Sequence, residues 1–161
     1  MKRALGVSVV FALLLPLSLH GQEQSPELRK LDAWVGEWSY RIGESGHGTL
    51  ICEWIGHSFV KYTESYTDEA GATGEILGVW GYDPEAGLYT WVRYWGNGRI
   101  DHFTGTFDGN VLTYSEKTED STKLRAVITI ESDNLKTFQW EESVGGGPWQ
   151  KISEGRTERV K

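Results

Sequence analysis

The sequence predicts an all-β domain: about ten antiparallel strands in an up-and-down meander, closed as a barrel, with a short N-terminal helix. Three observations carry this. From Gly36 onward, side chains alternate with period two in segments rich in Thr, Val, Ile, Tyr, Trp and Phe. The separators are turn chemistry: Asp83-Pro84-Glu85-Ala86-Gly87, Asn97-Gly98, Asp108-Gly109 and Gly145-Gly146-Gly147-Pro148. None is long enough for a crossover helix, so neighbouring strands pair as hairpins. Closure removes edge strands that would invite aggregation, and a two-sheet sandwich is the alternative.

Composition sets the frame. The 161 residues suffice for one domain with a sizeable core. They include 8 Trp, 7 Tyr and 5 Phe, far more aromatics than a disordered chain carries. The 20 Gly residues show no collagen period. A net charge of −7 argues against electrostatic capture of nucleic acid or anionic lipid.

Taken in order, the chain opens with the basic Met1-Lys2-Arg3, an apolar run from Ala4 to Leu19, and His20-Gly21. This reads as a signal peptide over residues 1–21, cut after Gly21. The apolar run is short for a membrane span and contains Pro16, so no stable membrane insertion is expected after cleavage. The mature domain is then 22–161, exported to the periplasm or secreted, with a charge of −9 once Lys2 and Arg3 are lost. Cys52 is its one cysteine, so no internal disulfide forms and the core must carry stability. Such a thiol is expected to be buried and inert.

Ser25-Pro26-Glu27 opens a helix: Ser caps, Pro is pre-set at the first position, and Glu favours the positive end. Leu28, Leu31, Trp34 and Val35 recur at helical spacing, and Gly36 ends the run. This apolar face is expected to cover one end of the barrel. Strands are expected at 37–43, 48–54, 58–67, 73–82, 88–95, 100–107, 110–116, 123–131, 135–142 and 149–158.

Strand parity separates inside from outside. The inward sets are Val60, Tyr62, Glu64 and Tyr66; Tyr89, Trp91, Arg93 and Trp95; Leu124, Ala126, Ile128 and Ile130; Phe138 and Trp140. Trp80, Phe103, Phe107, Leu112, Tyr114 and Ile152 join them. Several inward faces carry an ionisable residue: Glu64, Arg93, Asp101, Glu116 and Glu142. A buried charge must pair or meet water or ligand. Sparse polar groups on an aromatic wall are what small-molecule sites use. The expected ligand-binding set is Tyr62, Glu64, Trp80, Trp91, Arg93, Asp101, Phe103, Tyr114 and Trp140. Arg93, between Trp91 and Trp95, suits an anionic ligand group or a carboxylate partner such as Glu64.

Gly36-Glu37-Trp38, after a short helix and at the start of the first strand, resembles the calycin superfamily of lipocalin-like barrels. The resemblance implies that Trp38 packs at the closed end against a late-strand cation, here Arg156 or Arg159. The span Leu31 to Trp38, with Gly81-Tyr82-Asp83-Pro84 and the aromatic strand to Trp95, is similar to exported bacterial lipocalin-like proteins of unknown function. The outline also resembles nitrobindin-like barrels, which hold haem through a histidine near the chain end. Here the last histidine is His102, so no cofactor is expected.

His47, His57 and His102 stand on separate segments and form no metal-ligand spacing. No nucleophile elbow, phosphate loop or dinucleotide fingerprint is present. Glu141 and Glu142 are adjacent, hence on opposite faces of a strand, and make no acid–base pair. The leading expectation is an exported barrel that binds a small apolar or amphipathic molecule. The alternatives are a barrel enzyme of isomerase, cyclase or hydrolase type, pairing Asp101 or Glu64 with His102, and a cell-envelope interaction module without a pocket.

Overall fold

The computed structural model describes residues 24–116 and 121–160. The expected signal peptide lies outside the described residues. Ten strands follow a short helical segment: β1 Gly36–Ile42, β2 Gly46–Ile55, β3 Phe59–Thr67, β4 Thr73–Asp83, β5 Leu88–Trp95, β6 Ile100–Asp108, β7 Val111–Glu116, β8 Thr122–Ser132, β9 Leu135–Val144 and β10 Gln150–Arg159. Each pairs antiparallel with its neighbours, and β1 pairs with β10, so the sheet is a closed barrel rather than a sandwich.

The helical segment is shorter and tighter than a single α-helix. Helix α1 covers Pro26–Arg29, capped by Ser25 Oγ, which accepts from Leu28 N at 3.2 Å. A 3-10 turn then runs over Lys30–Trp34. With three residues per turn, Leu31 and Trp34 fall on one face, and both are buried. That face stoppers one end of the barrel. Trp54 Nε1 donates to Asp32 Oδ1 at 2.9 Å, and the Tyr89 hydroxyl donates to Glu27 O at 2.9 Å.

In the Asp-Gly and Asn-Gly hairpin turns, only the glycine of each pair takes positive φ. At Asp108-Gly109 only Gly109 does (+59°), because the two-residue loop is Gly109-Asn110, with Asp108 paired to Val111. Positive φ at the first loop position alone is the type II′ pattern. At Asn97-Gly98 only Gly98 is positive, and Asn97 Oδ1 instead accepts from Arg99 N.

Trp38 sits at the stoppered end, its indole N–H donating to Trp34 O at 2.6 Å. Two cations approach its ring: Arg159 with its guanidinium carbon 4.2 Å from the centroid, and Lys136 with Nζ 3.1 Å away. Arg156 lies on the other parity of β10, faces outward, and pairs with Glu158. Ile152 lies beside the β-bulge between Lys151 and Ser153, so it reaches the barrel mouth while remaining half exposed.

A further device fixes the register. Tyr40, Tyr62, Tyr66, Tyr114 and Phe138 each lie directly across from a glycine, respectively Gly48, Gly78, Gly74, Gly105 and Gly155. Each ring lies where that glycine's Cβ would otherwise stand. A ring laid on the neighbouring backbone takes less radial room, which leaves space at the barrel axis.

Candidate functional site

The barrel encloses a cavity of about 360 Å³. This is near the lower end of the size range for small-molecule sites. Trp34 forms its floor, and Ile42, Asp68, Arg99 and Ile152 stand at its mouth, opposite the helical stopper. The wall comes from β1–β5 and β8–β10, and no described residue of β6 or β7 lines it.

The aromatic wall is a stack. Trp34 and Trp80 have centroids 4.9 Å apart, and Trp80 and Tyr62 are 4.2 Å apart. Trp91 Nε1 donates to the Tyr62 hydroxyl at 2.9 Å. Phe138 and Trp140 face the same space from β9. Their backbone order follows from parity alone, since residues two apart on a strand share a face.

Two polar centres interrupt this wall. On one side, the Tyr40 hydroxyl donates to Glu64 Oε1 at 2.5 Å. Burial raises the Glu64 carboxyl above its usual range, an effect that Tyr40 and Arg93 partly offset. Burial, followed by the charge and hydrogen bond of Glu64, raises the Tyr40 phenol in turn.

On the other side, the Arg93 guanidinium carbon lies 4.9 Å from the centroids of Trp91, Trp95 and Trp140, and 5.2 Å from Phe103. Its Nε and Nη2 donate to Asp101 Oδ2 at 3.1 and 2.7 Å. Asp101 also accepts from Trp95 Nε1 at 2.7 Å and from Arg99 at 2.6 and 3.0 Å. Burial alone would raise the Asp101 carboxyl. The hydrogen bonds from Arg99 and Trp95 and the charge of Arg93 outweigh it and hold the group below the usual range.

Of the nine expected site residues, Tyr62, Glu64, Trp80, Trp91, Arg93 and Trp140 share the cavity wall. Asp101, Phe103 and Tyr114 point inward but do not line the cavity. They fill the barrel behind Trp91 and Arg93, with Phe103 5.1 Å and Tyr114 5.3 Å from the Trp91 centroid. Arg93 pairs with Asp101 rather than Glu64, because the two are direct neighbours across β5 and β6. The acid–base alternative loses its histidine: His102 follows Asp101 on β6, so parity turns it outward, and it is exposed.

Tyr40, Trp34, Phe138 and Arg99 complete the site and were not in the expected set. Tyr40 is two residues past Trp38 on one face of β1, so parity was a sufficient signal. Lys136 also shares the inward parity of Phe138 and Trp140 and is wholly buried at the stoppered end. Cys52 is buried nearby. Burial pushes its thiol up to about 12, which keeps it protonated and unreactive.

No protein-family model matches the sequence, and no curated protein matches it. Among solved structures, the chain is similar to Rv2717c from M. tuberculosis, with a TM-score of 0.59 and 16% identity, covering 86% of this chain and 100% of that one. A likeness at that identity supports the barrel fold.

Proposed function

We propose that this protein is an exported, lipocalin-like carrier or receptor for a small amphipathic molecule held inside the barrel. The carrying observation is the cavity of about 360 Å³ inside the barrel, open at one end, walled mainly by aromatic and aliphatic side chains, with Glu64–Tyr40 and Arg93 among its polar groups. Apolar walls supply affinity in proportion to the area removed from water, and a few polar groups orient the guest. The basic start and apolar run of residues 1–21 support export. Among the described residues, the stopper covers one end and the mouth at the other gives the guest a route in.

Native mass spectrometry of the protein purified from its host tests this, followed by quenching of tryptophan fluorescence across a panel of metabolites and lipids. The expected result is a mature chain starting at Gln22 with a co-purified mass. That mass is lost in Ala126→Phe, whose ring would occupy the cavity beside Trp140. A native sample without ligand, together with a panel that leaves the indole emission unchanged, would overturn the proposal.

A further inference from the structure

We propose that the interior site takes a compact aromatic carboxylate, its ring against the indole walls and its acid group accepting from Arg93. This rests on the reading of the barrel as a small-molecule binder and adds the chemical class of the guest.

The cavity holds buried donors that have no acceptor among the described residues. Trp34 and Trp80 both line it, and the Nε1 of each is buried without a partner among the described residues. Arg93 spends Nε and Nη2 on Asp101, and its Nη1 has no acceptor among the described residues. The carboxylates of the lining are Glu64, one oxygen of which already receives the Tyr40 hydroxyl, and Asp68 at the mouth, whose Oδ1 already accepts from Ala70 N and Ala72 N. Buried donors without acceptors are costly, and a guest rich in acceptor oxygens relieves that cost.

Charge points the same way. Two guanidiniums that line the cavity, Arg93 and Arg99, share one carboxylate, Asp101. Five N–H donors converge on that carboxylate, leaving it little capacity for more. Glu64 forms no ion pair with Arg93, and Glu116, across from Phe103, forms none with either arginine among the described residues. An incoming carboxylate therefore meets a guanidinium already fixed in place by Asp101 and its aromatic neighbours, so little ordering remains to be done on binding. Burial raises the Glu64 carboxyl, which lessens repulsion of a second acid. An amine guest would face two guanidiniums, and an amide would lack the charge that meets Arg93.

The test is titration calorimetry with 2-naphthoate, 2-naphthamide and 2-naphthylmethylammonium, three probes with one ring system. Naphthoate is expected to bind at least about tenfold more tightly than the amide, and the ammonium more weakly than both. In Arg93→Gln the acid and amide should bind alike, with the amide affinity close to wild type. If Arg93→Gln does not fold, Arg99→Gln decides: its guanidinium is half exposed, so the fold should survive while the preference for the acid shrinks several-fold. An amide or ammonium that binds wild type as tightly as naphthoate overturns the ligand class and leaves the binding site standing. Absence of binding by all three overturns the ligand class; only when the native sample is also empty does the binding reading fall with it.

Discussion

Lys136 has no exposed surface, and its Nζ has no hydrogen-bond partner among the described residues, yet it stands 3.1 Å from the Trp38 centroid. Burial, followed by the charge of Arg159, pulls the amine from 10.5 down to about 7. Between those values the unfolded chain holds a proton that the folded chain releases, so stability rises with pH through the window and is lowest below it. In urea titrations the wild-type midpoint should climb from pH 7 to about 8.5, and Lys136→Met should remove most of that climb. The same variant should be more stable than wild type at pH 7 by on the order of 1–2 kcal/mol, since an apolar chain of similar length replaces a desolvated amine. A less stable variant would mean that attraction to the indole faces outweighs desolvation. Asp101 presents the opposite case, a buried carboxylate with every contact made. Asp101→Asn leaves the buried Arg93 guanidinium without its carboxylate, Arg99 being half exposed, and should cost about 3–5 kcal/mol in chemical denaturation.

At the scale of elements, each cross-strand glycine is defined by the ring above it. A Cβ on Gly78 would clash with the Tyr62 ring, and that ring is fixed by its stack on Trp80 and its bond from Trp91. Gly78→Ala should therefore cost about 1–3 kcal/mol and alter the near-ultraviolet circular dichroism of the indoles. Gly96→Ala is the control: its Cβ meets only Glu75 O at 3.6 Å, and the change should stay within about 0.5 kcal/mol. The strands themselves were legible in sequence because turn residues mark their ends and parity marks their faces, as for Leu124, Ala126 and Ile128 on β8. The glycine–ring pairs were not, because they depend on register. Tyr62 and Gly78 become neighbours only when β3 and β4 pair, and nothing local to either residue states it. The 3-10 turn escaped for a related reason: Leu28, Leu31 and Trp34 suit a repeat of three as well as one of 3.6.

At the scale of the molecule, parity told which side chains point inward but not which of them leave space. Phe103 and Tyr114 obey the same alternation as Trp91 and Trp140, yet they fill the barrel while the latter line its cavity. That difference arises from closure, which brings β8, β9 and β10 across from β3, β4 and β5. Closure joins β1 to β10, strands at opposite ends of the described chain, and it is reinforced where they meet. Val160 N donates to Glu37 O, and Arg159 Nη1 donates to Val35 O, both at 2.8 Å. A contact of such sequence separation forms at a high entropic cost and should close late in folding. Two variants isolate this seam. Removing residues 150–160 leaves β1 and β9 as open edges, and the product should aggregate and lose its cavity. A circular permutant keeps all ten pairings: a flexible linker of about ten residues joins 160 to 24, and the chain opens at the exposed Gly145-Gly146 turn. It should remain monodisperse in size-exclusion chromatography and keep the wild-type near-ultraviolet spectrum. Its closing seam is now β9–β10, as distant in sequence as β1–β10 is in the natural order, so it should fold at a rate within a few-fold of wild type. A permutant that folds much faster would assign the slow step to the β1–β10 contact itself rather than to barrel closure.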